Sequence, residues 1–258
     1  MSSAAPLQGK TAIITGGSKG IGAATTKHLA ALGANVVFTY SSDSATAEAL
    51  AKKLNSEFPS LPDEQPRALG VKSDSTSMID LKSLVAKTLE TYSHIDILIL
   101  NAAILPMQDL ANATEATFEA AMNTNVKGPL FLTQLVAPHL APGSHVVFIS
   151  TSLTIASTVT PNYLIYAATK GAVEQMIRVL SKDLAKRGIC VNGVGPGPTG
   201  TEMFYKDKSD AVLNAIKQLI PMGRVGTPEE VAEVIGWLSG DGSRWVSGQV
   251  IRANGAMA

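Results

Sequence analysis

The run Tyr166-Ala167-Ala168-Thr169-Lys170 sets a phenol and an ammonium four residues apart. On a helix, positions i and i+4 share a face, so the two groups are neighbours. A phenol titrates near pH 10 and is a poor proton donor or acceptor at neutral pH. A nearby lysine cation favours the phenolate and brings that value down. Lowering it by about two to three units takes roughly 3–4 kcal/mol, much of which a closely held ammonium in a water-poor site can supply. Tyr166 is therefore a candidate general acid, with Lys170 as the group that tunes it. Such a pair often arises by chance, so its weight depends on what else the chain carries.

A second constellation opens the chain. Thr15-Gly16-Gly17-Ser18-Lys19-Gly20-Ile21-Gly22 follows an apolar β-rich run and precedes a helical pattern. Gly16, Gly20 and Gly22 have the spacing GxxxGxG, which differs from the GxGxxG of the usual dinucleotide turn. Glycines permit positive φ and let a pyrophosphate approach the backbone, while the helix start offers free N–H groups. The next β-rich run ends Phe38-Thr39-Tyr40-Ser41-Ser42, and no acid appears before Asp43 beyond the turn. An acid at that point would bind both ribose hydroxyls of NAD(H). Lys19, Ser41 and Ser42 instead offer charge and hydrogen-bond donors beside Tyr40 for a 2′-phosphate. The expected cofactor is NADP(H) rather than NAD(H).

These side chains need a scaffold, and the hydrophobic pattern supplies one. Residues 11–15, 35–40, 68–71, 95–100, 145–150, 190–194 and 249–252 read as strands, several of them apolar almost throughout. Strands without period-two alternation are buried on both faces, as in a parallel sheet. Helical patterns fall between them at 21–32, 45–58, 78–92, 114–140, 171–186 and 228–238. The alternation predicts an α/β fold: one Rossmann-type, doubly wound parallel sheet of seven strands with helices on both faces. The expectation is a single domain over residues 1–258, since the rhythm continues past the proline-rich loop at 59–66.

Composition narrows the function. Lysine plus arginine equals aspartate plus glutamate at 21 each, so no basic field favours nucleic acid. The lone cysteine, Cys190, excludes an internal disulfide and lies in an apolar run that suits a buried thiol. His28, His94, His139 and His145 have no metal-ligand spacing, and no metal is expected. Residues 1–6 show no basic segment followed by an apolar run, and no stretch of about twenty apolar residues occurs. The expectation is a cytoplasmic protein without membrane contact.

Taken together, these motifs resemble the short-chain dehydrogenase/reductase family, in its classical NADP-preferring form, over about residues 7–255. The family's glycine turn matches residues 15–22, and its Asn-Ala-Gly motif appears as Asn101-Ala102-Ala103. Its helix asparagine matches Asn125, and its Pro-Gly motif matches Pro196-Gly197, followed by Thr201. The family serine precedes the tyrosine by thirteen or fourteen residues; fourteen selects Ser152, with Ser150 the alternative and Ser157 too near. The resemblance implies that Ser152 polarises a carbonyl, Tyr166 protonates the alkoxide, and Lys170 holds the nicotinamide ribose. Asn125 would link Lys170 to solvent through a backbone group and water. It further implies cofactor contacts by Ser18, by Ile21 through its backbone, and by Asp74 at the adenine. Asn101, Ala102, Pro196 and Gly197 would contact it too, with Thr199 and Thr201 at the carboxamide. Two departures stand out: Ala103 replaces a glycine, and the chain ends Asn254-Gly255-Ala256-Met257-Ala258 where the family usually has an Asp-Gly-Gly ending.

The implied reaction is reduction of a ketone to a secondary alcohol. Alcohol oxidation is the alternative, and a non-catalytic nucleotide sensor is a third reading that the presence of all four site residues argues against. A substrate lid is expected at about 199–219, with Met203, Phe204 and Tyr205 over the nicotinamide. Leu153, Thr154, Tyr163 and Met107 are further candidates for an apolar pocket, which suits a hydrophobic or aromatic substrate. The nearest likeness is to fungal-type hydroxynaphthalene and polyketide ketoreductases and β-ketoacyl carrier-protein reductases. The helices at 114–140 and 171–186 have more than one apolar face, and the family implies a homotetramer built on them, with a dimer as the alternative.

Overall fold

The computed structural model of the chain describes residues 5–58, 65–206 and 208–258. Residues 1–4 of the N-terminal run and 59–64 of the proline-rich loop lie outside them. The strands are β1 (Thr11–Ile14), β2 (Asn35–Tyr40), β3 (Ala68–Lys72), β4 (Ile95–Leu100), β5 (Leu140–Ile149), β6 (Cys190–Pro196) and β7 (Val250–Ala253). They form one sheet in the order β3-β2-β1-β4-β5-β6-β7, parallel at every pairing. This is the doubly wound, Rossmann-type arrangement that the sequence predicts.

The reason lies in the two faces of each strand. Ala12 and Ile14 of β1 join one apolar cluster with Leu29 of α1 (Gly20–Ala31), Leu50 of α2 (Ser44–Glu57) and Ile235 of α9 (Pro228–Leu238). Ile13, between them, joins a second cluster with Leu84 of α3 (Met78–Tyr92), Leu132 of α5 (Gly128–Val136) and Ile177 of α6 (Leu164–Ala185). Successive residues of one strand thus bury into opposite layers, which is why the strands carry no polar face.

Three boundaries differ from expectation. The helix expected over 114–140 is α4 (Glu115–Met122), a π turn at Asn123–Lys127, α5, and a short 3-10 turn at Ala137–His139. Pro129 explains the interruption, because it has no N–H to give the Asn125 carbonyl four residues back. Strand β5 begins at Leu140 rather than 145, and a register shift against β4 between Ile95 and Ile97 absorbs the extra residues. Helix α6 begins at Leu164 rather than 171, so Tyr166 and Lys170 lie in its first two turns.

Between β6 and α9 lie two short helices, α7 (Glu202–Tyr205) and α8 (Asp210–Leu219). Among the described residues, no helix is long and apolar enough to cross a membrane. Helix α9 packs on α1 and starts with a complete capping box. The Thr227 side chain accepts the Glu230 amide, and Glu230 accepts the Thr227 amide at 2.8 Å. Arg224 holds the same carboxylate at 2.5 and 2.8 Å. Thr227→Ala should lower stability by about 1 kcal/mol. Urea unfolding of the two proteins checks this, and no shift in midpoint contradicts it.

Candidate active site

The strand order reverses between β1 and β4, and a crevice at such a reversal is where open α/β sheets bind ligands. The glycine turn fills the β1 side of it. Gly16 and Gly20 adopt φ of +62° and +54°, which side chains rarely tolerate. At Gly22 a Cβ would overlap the Gly16 carbonyl oxygen and the Asn101 amide. Thr39 steadies the turn from β2, its Oγ1 accepting the Gly16 amide at 3.0 Å and its carbonyl accepting the Gly17 amide at 2.9 Å. Helix α1 then begins with Lys19 as an N-cap whose side chain does not cap the helix amides, and with no acid in its first turn. Its first amides therefore remain available to an anion. These features fit the pyrophosphate of a dinucleotide.

Across the reversal, Asn101 ties β4 to the turn. Its Nδ2 donates to the Thr15 carbonyl at 2.9 Å and the Gly16 carbonyl at 3.1 Å. Thr15 Oγ1 accepts the amides of Asn101 and Ala102 at 2.9 and 3.0 Å.

The residues expected to transfer the proton gather at the C-terminal end of β5. Lys170 is buried, and its Nζ donates to the Ile149 carbonyl at 2.7 Å while lying 5.7 Å from the Tyr166 ring centre. Burial pulls the ammonium down to about 8. Burial also pushes the Tyr166 phenol well above its usual value, against a hydrogen bond from the Thr151 side chain. This reverses the sequence expectation that Lys170 lowers the phenol. The ammonium faces the end of β5, and desolvation is the largest influence on the phenol. Ser152 is buried with its Oγ donating to the Gly195 carbonyl at 3.0 Å. Ser150 gives its hydroxyl to Glu174 at 2.6 Å, and Ser157 is exposed.

Asn125 sits in the π turn, buried, and its carboxamide both accepts from the Ile104 amide and donates to the Ile104 carbonyl, each at 2.9 Å. It also donates to Thr169 Oγ1 at 3.1 Å, one residue before Lys170. The helix carrying Lys170 and the loop after β4 are thus locked together, and the Asn125 carbonyl lacks its ordinary helical partner.

The outer residues are more mixed. Lys19 pairs with Asp43 at 2.8 Å on the surface, and hydrogen bonds from Lys19 and the Thr46 amide hold Asp43 at about 2. The lysine read as a phosphate ligand is therefore engaged by the acid that the sequence set aside, although an exposed pair of this kind is weak. Tyr40 is half-buried, and Ser41 and Ser42 are exposed at the end of β2. Asp74 is exposed, and its carboxylate accepts the Thr76 amide and hydroxyl at 2.8 Å, a turn-capping role in this structure. Thr199 is buried and its hydroxyl donates to the Gly197 carbonyl at 2.9 Å. Thr201 caps α7 by accepting the Phe204 amide at 3.1 Å and faces Gly20. Met203 and Tyr205 are exposed, and Phe204 meets Tyr205 edge-on with ring centres 5.2 Å apart. Ser18 lies in the turn after β1, Ile21 in the first turn of α1, Ala102 just beyond β4, and Pro196 and Gly197 at the end of β6. Among the described residues no cluster of three metal-ligating side chains occurs. Sequence reading missed Thr15, Thr39, Asp43 and Thr151, whose roles come from side chains reaching across strands and loops.

A family model described as enoyl-(acyl carrier protein) reductase matches residues 16–257. A chloroplastic NADPH-dependent aldehyde reductase-like protein of Arabidopsis thaliana is 36% identical, over 97% of this chain and 94% of that protein. The crystal structure of a short chain dehydrogenase from Burkholderia cenocepacia J2315 in complex with NADP is 31% identical, with a TM-score of 0.90 over 98% of this chain and 99% of that one. An angucycline C-6 ketoreductase with bound NADP is 30% identical, with a TM-score of 0.87 over 98% and 96% of the two chains. With the parallel seven-stranded sheet and the Tyr166–Lys170 pair, these likenesses establish that the chain belongs to the short-chain dehydrogenase/reductase family of oxidoreductases.

Proposed function

We propose that this protein is an NADP(H)-dependent reductase that converts a ketone of hydrophobic or aromatic character to a secondary alcohol. The observation that carries the reading is the Tyr166 phenol beside a buried Lys170 ammonium 5.7 Å from its ring, on the strand ends that also hold the glycine turn. The residues fit the cofactor: the uncapped start of α1 suits a pyrophosphate, and Lys19, Ser41 and Ser42 suit a 2′-phosphate. When bound, the reduced nicotinamide supplies the hydride. Ser152 turns its hydroxyl to the substrate oxygen and polarises the carbonyl. Tyr166 gives its proton to the forming alkoxide, and the Lys170 charge favours the phenolate left behind. Asn125, through its carbonyl and water, relays a proton toward Lys170. Alcohol oxidation uses the same groups in reverse, but burial keeps the phenol protonated, the form that donates.

The relatives named for aldehyde and ketone reduction support a carbonyl substrate. Residues 199–219 serve as the lid, with Met203, Phe204 and Tyr205 offering apolar surface above the site. In this reading one domain carries both cofactor and substrate and works in the cytoplasm. Exposed Leu130 on α5 and Val179 on α6 suit assembly into a homotetramer.

Tyr166→Phe removes the acid and should cut turnover by about a hundredfold or more on any ketone the parent reduces. Loss of the reduced nicotinamide's absorbance measures it, and parental turnover in the variant overturns the reading. The parent should bind NADPH more tightly than NADH, and Lys19→Ala should weaken NADPH alone by about tenfold or more. Equal affinities in the parent, from fluorescence titration, would refute the 2′-phosphate assignment.

The buried ammonium also sets a stability term. Lys170 titrates at about 8 in the folded chain, below its ordinary value of 10.5. The destabilisation is thus fully present below pH 8, is relieved as the pH rises toward 10.5, and vanishes above it. Lys170→Met should unfold no more easily than the parent at about pH 7, gaining at most about 3 kcal/mol less the lost bond to Ile149. That advantage should shrink toward about pH 10. Urea unfolding at the two pH values tests it; a difference independent of pH is the contrary result.

A further inference from the structure

Helix α6 carries a third polar side chain in line with Tyr166 and Lys170. Glu174 is the next residue at i+4, so all three rise along one face. Its carboxylate is turned toward the loop that follows β5. Oε1 accepts the Ser150 hydroxyl at 2.6 Å, lies 2.7 Å from Thr154 Oγ1 and accepts Arg252 Nη1 at 2.9 Å; Oε2 accepts Arg252 Nη2 at 3.0 Å.

Arg252 arrives from β7, at the far edge of the sheet. Its Nη1 also donates to the Thr151 carbonyl at 2.8 Å and to Thr154 Oγ1 at 3.1 Å. Both ion-pair partners are only 18% exposed. The path to the loop exists because β6 has glycine at 195, where a Cβ would lie 2.5 Å from the guanidinium. Burial opposes the Glu174 charge, yet the bonds from Arg252, Ser150 and Thr154 hold its carboxyl below the ordinary range.

Stability alone is a poor reason for such a pair, since well-packed apolar residues often serve as well in its place. Its partners suggest another purpose. β5 ends at Ile149, and the 3-10 turn Ser152–Thr154 is a single turn. The pair grips Ser150, Thr151 and Thr154, the residues that flank Ser152. It also occupies the Ser150 hydroxyl, the nearest competitor to Ser152.

We infer that Glu174 and Arg252 are positioning residues, a half-buried ion pair that fixes residues 150–154 so that Ser152 and Thr151 keep their place at the end of β5. The role rests on the reading of this site as a carbonyl reductase. It makes the last strand of the sheet part of the catalytic frame, although no residue of β7 touches the reacting groups.

The test uses the full chain. Glu174→Ala or Arg252→Ala alone leaves a buried charge without its partner and risks unfolding. The informative variant is therefore Glu174→Met with Arg252→Met, which replaces both charges by apolar groups of similar length. Turnover should fall by about tenfold or more while the Kd for NADPH stays within about twofold. Hydrogen exchange should quicken in the peptide covering residues 150–156 and stay unchanged in the other strands. Glu174→Gln keeps the oxygen that takes three of the four bonds and should recover most of the lost turnover. Parental turnover in the double variant overturns the proposal, as does unchanged exchange at 150–156. So does a turnover loss matched by the loss of folded protein or of cofactor affinity. If the parent reduces no carbonyl, the functional reading fails while the exchange measurement still decides whether the pair holds the loop.

Discussion

Chain connections leave in opposite directions from β1 and β4, so the ends of these neighbouring strands have no helix crossing above them. Backbone groups there need partners, and the Asn101 carboxamide supplies them by spanning both strands to the carbonyls of Thr15 and Gly16. Everything at the site hangs from that tie. It sets where the glycine turn begins, which sets where α1 presents its free amides. On the other side, it fixes the start of the loop that Asn125 holds through Ile104. The Asn125 amide in turn reaches Thr169, beside Lys170. Polar contacts, with the backbone of residues 101–104 between them, thus connect the glycine turn to the helix that carries Tyr166 and Lys170.

Helix α6 acts as a ruler within this frame. Val173, Ile177 and Leu184 anchor one of its faces in the core, so neither its rotation nor its position along the axis is free. Tyr166, Lys170 and Glu174 inherit that rigidity. Desolvation acts on the first two in the same sense, toward their neutral forms, and raises the phenol while lowering the ammonium. The third escapes neutralisation because Arg252 and two hydroxyls satisfy it. One helix therefore holds a weak acid, a readily discharged cation and a firmly charged anion at intervals of one turn. Their environments, more than their spacing, give them different properties.

Much of this was readable from the residues. The strands showed as apolar runs because both of their faces are buried, and the glycine turn announced itself by where side chains are forbidden. Tyr166 and Lys170 were found by helical spacing, although the helix was expected to begin only at 171, and the start of α6 at Leu164 is what puts both on it. The misses share a cause. Asp43 was set aside because it lies beyond β2 in sequence, yet the turn folds it back onto Lys19. Arg252 is 78 residues from Glu174, and only the order of strands in the sheet brings them together. The π turn had a local signal in Pro129, but a propensity reading sees a helical pattern on both sides and runs through it. The upward push on the Tyr166 phenol was not foreseen because charge can be read from a sequence whereas desolvation cannot.

The placement of the buried charges follows a consistent logic. A water-poor pocket strengthens the action of Lys170 on a developing phenolate, and the same dryness destabilises the folded chain by disfavouring the ammonium. The fold limits that conflict with a strong acceptor, the Ile149 carbonyl, placed where β5 has run past its last partner on β4. That carbonyl is the last of the strand, and the loop beyond it is the one that Glu174 and Arg252 grip. The bond that makes the cation tolerable and the bonds that orient Ser152 therefore share one stretch of backbone. A change that loosened residues 150–154 would disturb the serine directly and the lysine through the end of its strand. The exposed residues of α7 and α8 take no part in these bonds, whereas the end of β5 has little room to change.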